Sequence, residues 1–221
     1  MKSNFDFLNR YWPALAQIGA TAENYVYSDP NACVYKLGMF AERLVQEILV
    51  FEHIAEPVND NTHANRIRIL KRAGLLPHEI DNTLYILRKT RNSAVHAGTD
   101  SVDEAKTLLS LTYNLAVWFM ETYGDWGYIA LEFVMPVEIT HEGLESVIAE
   151  QEKKIVELTK QLAVVKTAAS GKTQKERAKR SESVSAMMNW NEAQTRCLID
   201  EQLRLSGWGA DTQNLRYSKG T

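Results

Sequence analysis

The stretch SDPNACVYKLGMFAERLVQEIL, residues 28–49, decides the fold class. Asp29-Pro30 reads as a helix start, because proline at the first helical position gives up an amide that has no intrahelical partner anyway. Val34, Leu37, Ala41, Leu44, Val45, Ile48 and Leu49 then recur at spacings of three and four. That period puts one apolar face on a helix of about five turns.

Working outward, the same punctuation recurs. A second helix is predicted from Thr62 to Ala73, stopped at Gly74, where glycine adopts a left-handed cap at little cost. Pro77 opens a third, with Ile80, Leu84, Leu87 and Arg91 on one stripe, running to Ala97 and closing at Gly98. Ser101 and Glu104 have capping-box spacing and lead into Ala105, Leu108, Leu109, Leu115, Ala116 and Phe119. Leu111, Val117 and Trp118 occupy the other faces, so this fourth helix is expected at the centre. Its aromatics, Tyr113, Trp118, Phe119 and the following Tyr123, read as core. From Gly124 to Pro136 the pattern changes to GDWGYIALEFVMP, a loop or extended arm packed on the bundle.

Leu144, Ile148, Gln151, Ile155, Leu158, Leu162 and Val165 alternate in steps of four and three, the heptad seam of a coiled coil. Residues 171–189 then carry a basic run, Lys172, Lys175, Arg177, Lys179 and Arg180, and read as a linker. Residues 150–182 hold nine basic and five acidic side chains, leaving a net −7 on the remainder. Those five cations are the candidate nucleic-acid contacts. Glu176 interrupts them and no aromatic residue stands among them, so a solvated helix or tether competes with that reading. A last helix is predicted from Trp190 to Leu205.

The chain has 221 residues, 45% hydrophobic and 24% charged, with a net charge of −3, which excludes a uniformly basic coat for DNA. Its amino terminus lacks the apolar run of a signal peptide, and no apolar window reaches the length of a membrane span. Cys33 and Cys197 cannot make a disulfide framework or a tetrahedral metal site, so a reducing cytoplasm is the expected compartment. His53, His63, His78 and His141 have no metal-ligand spacing and default to surface or capping roles. No phosphate loop, dinucleotide fingerprint, H-E-x-x-H or C-x-x-C occurs. Neither a metal nor a cofactor is expected on this chain.

Arg91-Asn92-Ser93-Ala94-Val95-His96 resembles the Arg, polar residue, then His motif of the HEPN superfamily, helical bundles many of which are ribonucleases. The resemblance implies Arg91 and His96 as catalytic residues at a composite site completed by dimerisation. Arginine can hold a phosphate bidentately, and histidine near its ordinary pKa can exchange a proton with a ribose hydroxyl. Positions five apart on a helix are about 140° out of line, so the two would flank a groove. The competing reading makes Arg91 a buried-edge arginine paired with a carboxylate and His96 a cation at a helix carboxyl end.

The whole chain is similar to the amino-terminal part of the R (HsdR) subunit of type I restriction-modification enzymes. The likeness is carried by Lys2-Ser3-Asn4-Phe5, Lys36-Leu37-Gly38-Met39-Phe40, the Arg91 to His96 word, Leu115-Ala116-Val117-Trp118 and Phe133-Val134-Met135-Pro136. Leu198-Ile199-Asp200, Gly207-Trp208 and Leu215 to Gly220 extend it to the other end. What the resemblance implies is a mainly α-helical protein: an HEPN-like bundle over 1–136, a coiled-coil arm over 137–170, the linker over 171–189 and an incomplete nuclease-proximal segment over 190–221. It also implies methylation and specificity subunits as partners and DNA reached through the holoenzyme. ATP and Mg2+ would serve the nuclease and motor of the parent subunit, whose motifs are missing here. The chain is then expected to be a fragment or a split product, inactive alone. An RNA-cleaving anti-phage or toxin effector and a plain homodimer are the competing expectations.

Overall fold

Four long helices, α1 Pro13–Ser28, α2 Pro30–Phe51, α4 His78–Ala97 and α5 Val102–Phe119, pack around one apolar interior, with the shorter α3 His63–Arg72 against α2 and α4. The computed structural model describes residues 3–56, 60–97, 101–138, 152–155 and 173–207. Among them there is no strand, so the protein is mainly α. Two units are distinguished, residues 1–188 and 189–221.

Local chemistry sets the helix ends. The Asp29 side chain accepts from the Ala32 amide at 2.9 Å and Pro30 opens α2. Thr62 caps α3, whose far end closes where Gly74 adopts φ 69°. There the Leu75 amide reaches back to the Leu70 carbonyl and the Gly74 amide to Lys71, so two orphan carbonyls are satisfied. The Ser101 hydroxyl accepts from the Glu104 amide at 3.2 Å. The expected closure of α4 at Gly98 lies outside the described residues.

α2 is the axis of the bundle: α1, α4 and α5 all pack on it. Leu37, Phe40, Ala41, Leu44, Val45 and Ile48 are fully enclosed. α5 is buried on several faces, with Leu108, Leu109, Leu111, Tyr113, Leu115, Trp118 and Phe119 all inside, as its sequence predicts. It passes into a turn of π-helix, Met120–Gly124, that brings Tyr123 beside Phe51 and Phe119, with Trp12 against the same two rings. α1 was not anticipated: its buried face is built from Ala14, Ala16, Gly19, Thr21 and Ala22 around Leu15, Ile18 and Val26.

The arm after the π turn returns along the bundle without regular secondary structure. Asn4 clasps it, accepting from the Val134 amide and donating to the Val134 carbonyl, at 2.9 and 2.8 Å. Tyr113 donates to the Leu131 carbonyl and Tyr27 to that of Pro136. These contacts bind the arm by its backbone and leave the side chains of Ile129, Leu131, Val134 and Val137 exposed.

The expected seam lies outside the described residues except for residues 152–155, which are helical. Here Glu152 pairs with Lys36 of α2 at 3.1 Å and accepts from the Tyr25 hydroxyl, while the seam residue Ile155 is buried. At this turn the segment packs on its own bundle.

The segment expected to be a linker contains a helix, α6 Gln174–Met187, started by a complete capping box between Thr173 and Glu176. One face is buried, and it is a polar one: Arg177, Ser181 and Ser185 with Val184. Arg177 donates from Nε and Nη2 to both Glu52 oxygens, at 2.6 and 2.9 Å, and both side chains are shielded from water. Ser181 accepts from the Trp118 indole at 3.0 Å, and Ser185 donates to Glu79 at 3.1 Å. The second unit contributes α7, Glu192–Leu205, which Asn191 and Gln194 start with a further capping box.

A buried fork-to-fork pair is costly to halve, since the survivor is left charged in a low-dielectric interior. Arg177→Met alone is expected to lower unfolding stability by about 3 to 5 kcal/mol. Glu52→Leu combined with Arg177→Met should restore most of that loss. Urea denaturation of the two variants checks both expectations.

An arginine and histidine cluster as the candidate functional site

Arg91 continues the apolar stripe of α4 and therefore points at α2, where the chain offers it a gap and a carboxylate. The gap is Gly38: a Cβ built there would lie 2.4 Å from Arg91 Cδ and 2.5 Å from its Cβ, so the arginine stem occupies the place of a side chain. The carboxylate is Glu42, one turn further on, which accepts from Arg91 Nη1. The guanidinium also stands over the Tyr35 ring, 5.2 Å from its centroid, a favourable cation–π placement. Arg91 thus meets three residues of α2 at one crossing.

α3 adds two groups. Arg66 donates from Nη1 to Glu42 at 3.2 Å and from Nε to Glu56 at 2.8 Å. Glu42 is consequently shared by two arginines, a bridge that ties α2, α3 and α4 together. His63, at the first position of α3, is only 8% exposed, and among the described residues neither ring nitrogen has a hydrogen-bond partner. Burial pushes its pKa down to about 4; Glu42 opposes this, while Arg91, Arg88 and Arg66 reinforce it. At neutral pH the imidazole is uncharged. The surface or capping role expected for His63 is therefore corrected: among these cations, its neutral form is the one the interior tolerates.

Other acids in the bundle are desolvated too. Burial raises the pKa of Glu23, against which Ser3 and Asn4 donate hydrogen bonds, and that of Glu47, which Arg43 contacts. Burial likewise pushes the Cys33 thiol well above its ordinary range, leaving it a packing group rather than a nucleophile. Among the described residues, no three His, Cys, Asp or Glu side chains are grouped so as to hold a metal ion.

Arg91 is engaged inside the bundle, and His96 lies on the same helix one residue from its end. Of the expected nucleic-acid contacts, Arg177 is committed to Glu52, Arg180 is held by backbone carbonyls, and Lys175 and Lys179 are exposed. Lys172 lies outside the described residues. The groups that sequence reading missed, Glu42 and Arg66, are 49 and 25 positions from Arg91, beyond any local spacing rule.

Residues 20–161 match the family model DUF4145, described as a domain of unknown function. The chain is 27% identical over 274 aligned positions to the type I restriction enzyme EcoKI endonuclease subunit of Escherichia coli strain K12. That alignment takes in 99% of this chain but spans only 23% of that protein. No solved structure matches. No described helix is long and apolar enough to cross a membrane.

Gly38→Ala should cost about 1 to 3 kcal/mol, the usual range for overpacking, by expelling the Arg91 stem. Because the clash disappears with that stem, Gly38→Ala combined with Arg91→Ala should be less damaging than the two single losses added, a coupling that a double-mutant cycle in urea reads directly. His63 sets a pH dependence whose sign follows from its depressed pKa. The unfolded chain binds a proton near pH 6.5 and the folded one only near 4, so stability is complete above 6.5 and falls through that window. The loss is on the order of 3 kcal/mol by pH 4, and His63→Leu should remove it from the difference between the two stability profiles.

Proposed function

We propose, for a chain that belongs to the DUF4145 family, that it is the interaction module of a type I restriction endonuclease R subunit. In this reading an HEPN-like bundle and a coiled-coil arm over 137–170 dock the methylation and specificity subunits in the cytoplasm, and DNA is met through the holoenzyme. The observation that carries it is the likeness to the EcoKI endonuclease subunit along almost the whole chain. Cleavage and translocation, with ATP and Mg2+, would belong to other parts of the parent subunit.

Two features support a structural task for the bundle. Arg91 is engaged by Glu42 and Tyr35 and seated on Gly38, the position of a strut between helices. Ile129, Leu131 and Val134 project from an arm whose backbone is already tied down, which leaves apolar surface for a partner. Ile155, the seam residue among the described ones, is buried within its own chain and is not offered to a second copy at that turn.

The tagged chain, co-expressed with methylation and specificity subunits, should copurify with them. Leu131→Asp with Val134→Asp should weaken that association about tenfold or more, roughly the loss of one central apolar contact. Absence of copurification with the unaltered chain would reject the reading. RNA cleavage that disappears in His96→Ala would establish the ribonuclease reading in its place.

A further inference from the structure

Trp126 and the cations of α6 are more than fifty positions apart, and the fold puts them side by side. The loop after the π turn carries Trp126 across to α6, where it lines an open concavity of about 240 Å3 with Glu176, Lys179, Arg180 and Ser183. The indole is half-buried, and its Nε1 donates to the Thr122 carbonyl at 3.0 Å, which fixes the ring plane. Arg180 is fixed as well: Nε donates to the Glu121 carbonyl at 3.4 Å and Nη2 to the Trp126 carbonyl at 3.2 Å. Carbonyls orient a guanidinium without neutralising it; Glu121 is the acid whose pKa Arg180 lowers against the effect of burial, and among the described residues three of the five Arg180 N–H groups are left for a further acceptor. Lys179 is exposed one residue before it. The Glu176 carboxylate accepts from the Thr173 amide and hydroxyl, at 2.8 and 2.9 Å, so this acid is occupied in the helix cap.

We propose that this concavity binds one nucleotide unit of single-stranded nucleic acid, its base stacked on Trp126 and its phosphate held by Lys179 and Arg180. A fixed aromatic face beside oriented cations is the combination that binds single strands without regard to sequence, because every base offers a π face and every unit a phosphate. The volume suits one base and is too small for a duplex. Neither stacking nor phosphate pairing reads the sugar, so DNA and RNA strands bind alike. The cations expected from sequence to meet nucleic acid thus divide: Arg177 belongs to the interior, while Lys179 and Arg180 flank an aromatic that the basic run itself lacks. The inference goes beyond the docking role and does not depend on it, since it is tested on the 221-residue chain with no other subunit present.

The test is fluorescence anisotropy of labelled oligothymidylate and oligouridylate of about twelve nucleotides, a length within the reach of such sites. Trp126→Ala should weaken binding about tenfold, within the range that loss of one base stack produces, and Trp126→Phe should stay within about threefold of the parent. Lys179→Ala should reduce the slope of log affinity against log salt by about 0.7, the effect of one phosphate contact on a single strand. Lys89→Ala, on α4, serves as a charge control and should leave both affinity and slope in place. The proposal is overturned if neither oligonucleotide binds, or if Trp126→Ala binds like the parent with an unchanged circular dichroism spectrum. It is also overturned if thymidine monophosphate competes as well as the strand, which would make a free nucleotide the ligand. Should Trp126→Ala fail to fold, Trp126→Phe and the Lys179 salt slope decide.

Discussion

Everything in the first half of the chain is arranged around a crossing at which an arginine lies on a glycine. α4 can approach α2 because Gly38 has no side chain, and the Arg91 stem takes up the room. The guanidinium then reaches Glu42, which also receives Arg66, so three helices share one carboxylate. Apolar packing is nondirectional and would tolerate several rotations of α4 about its axis. A charged pair at the edge of the core selects one. Gly38 and Arg91, each within a word that carries the family likeness, are two halves of a single contact.

The interior that results is more polar than the hydrophobic periodicity suggests. Glu23, Glu47 and Glu52 are each buried and each matched: the first by Asn4, the second by Arg43, the third by Arg177. Such pairs add little net stability over apolar equivalents of the same shape, but they penalise wrong arrangements heavily, because a displaced partner leaves a bare charge. His63 is handled differently. Among the described residues it receives no hydrogen bond, and it is accommodated by losing its proton. Two of the cations that reinforce the effect of burial, Arg66 and Arg91, are the ones that tie α3 and α4 to Glu42.

This division explains what could be read from the sequence. The starts of α2 and α5 and the stop of α3 were legible at Asp29-Pro30, Ser101 and Gly74, since capping is chemistry among near neighbours. The centrality of α5 followed from apolar residues on every face. α1 was not legible, because Ala14, Ala16, Gly19 and Ala22 bury a helix by being small and leave no stripe of large residues. α6 escaped for the opposite reason: its inner face is Arg177, Ser181 and Ser185, and a face held by hydrogen bonds has no hydrophobic period. Arg91 could be foreseen as a buried-edge arginine from its place on the α4 stripe. Its partner could not, because nothing local distinguishes Glu42 from any other acid on α2. Trp126 meeting Lys179 and Arg180 depends on the π turn and on the docking of α6 together.

The clasp between Asn4 and Val134 has a consequence for biosynthesis. Asn4 meets Glu23 after 19 residues, but the Val134 backbone only after 130 have been added. At translation rates of about 5 to 20 residues per second, that is an interval of many seconds. Throughout it the helices can condense one after another, with Asn4 held to Glu23 and the arm not yet fastened at Val134. A nascent chain interrupted before residue 134 would therefore lack this clasp, its arm held by Tyr113 at Leu131 but unfastened beyond it, a ready handle for chaperones.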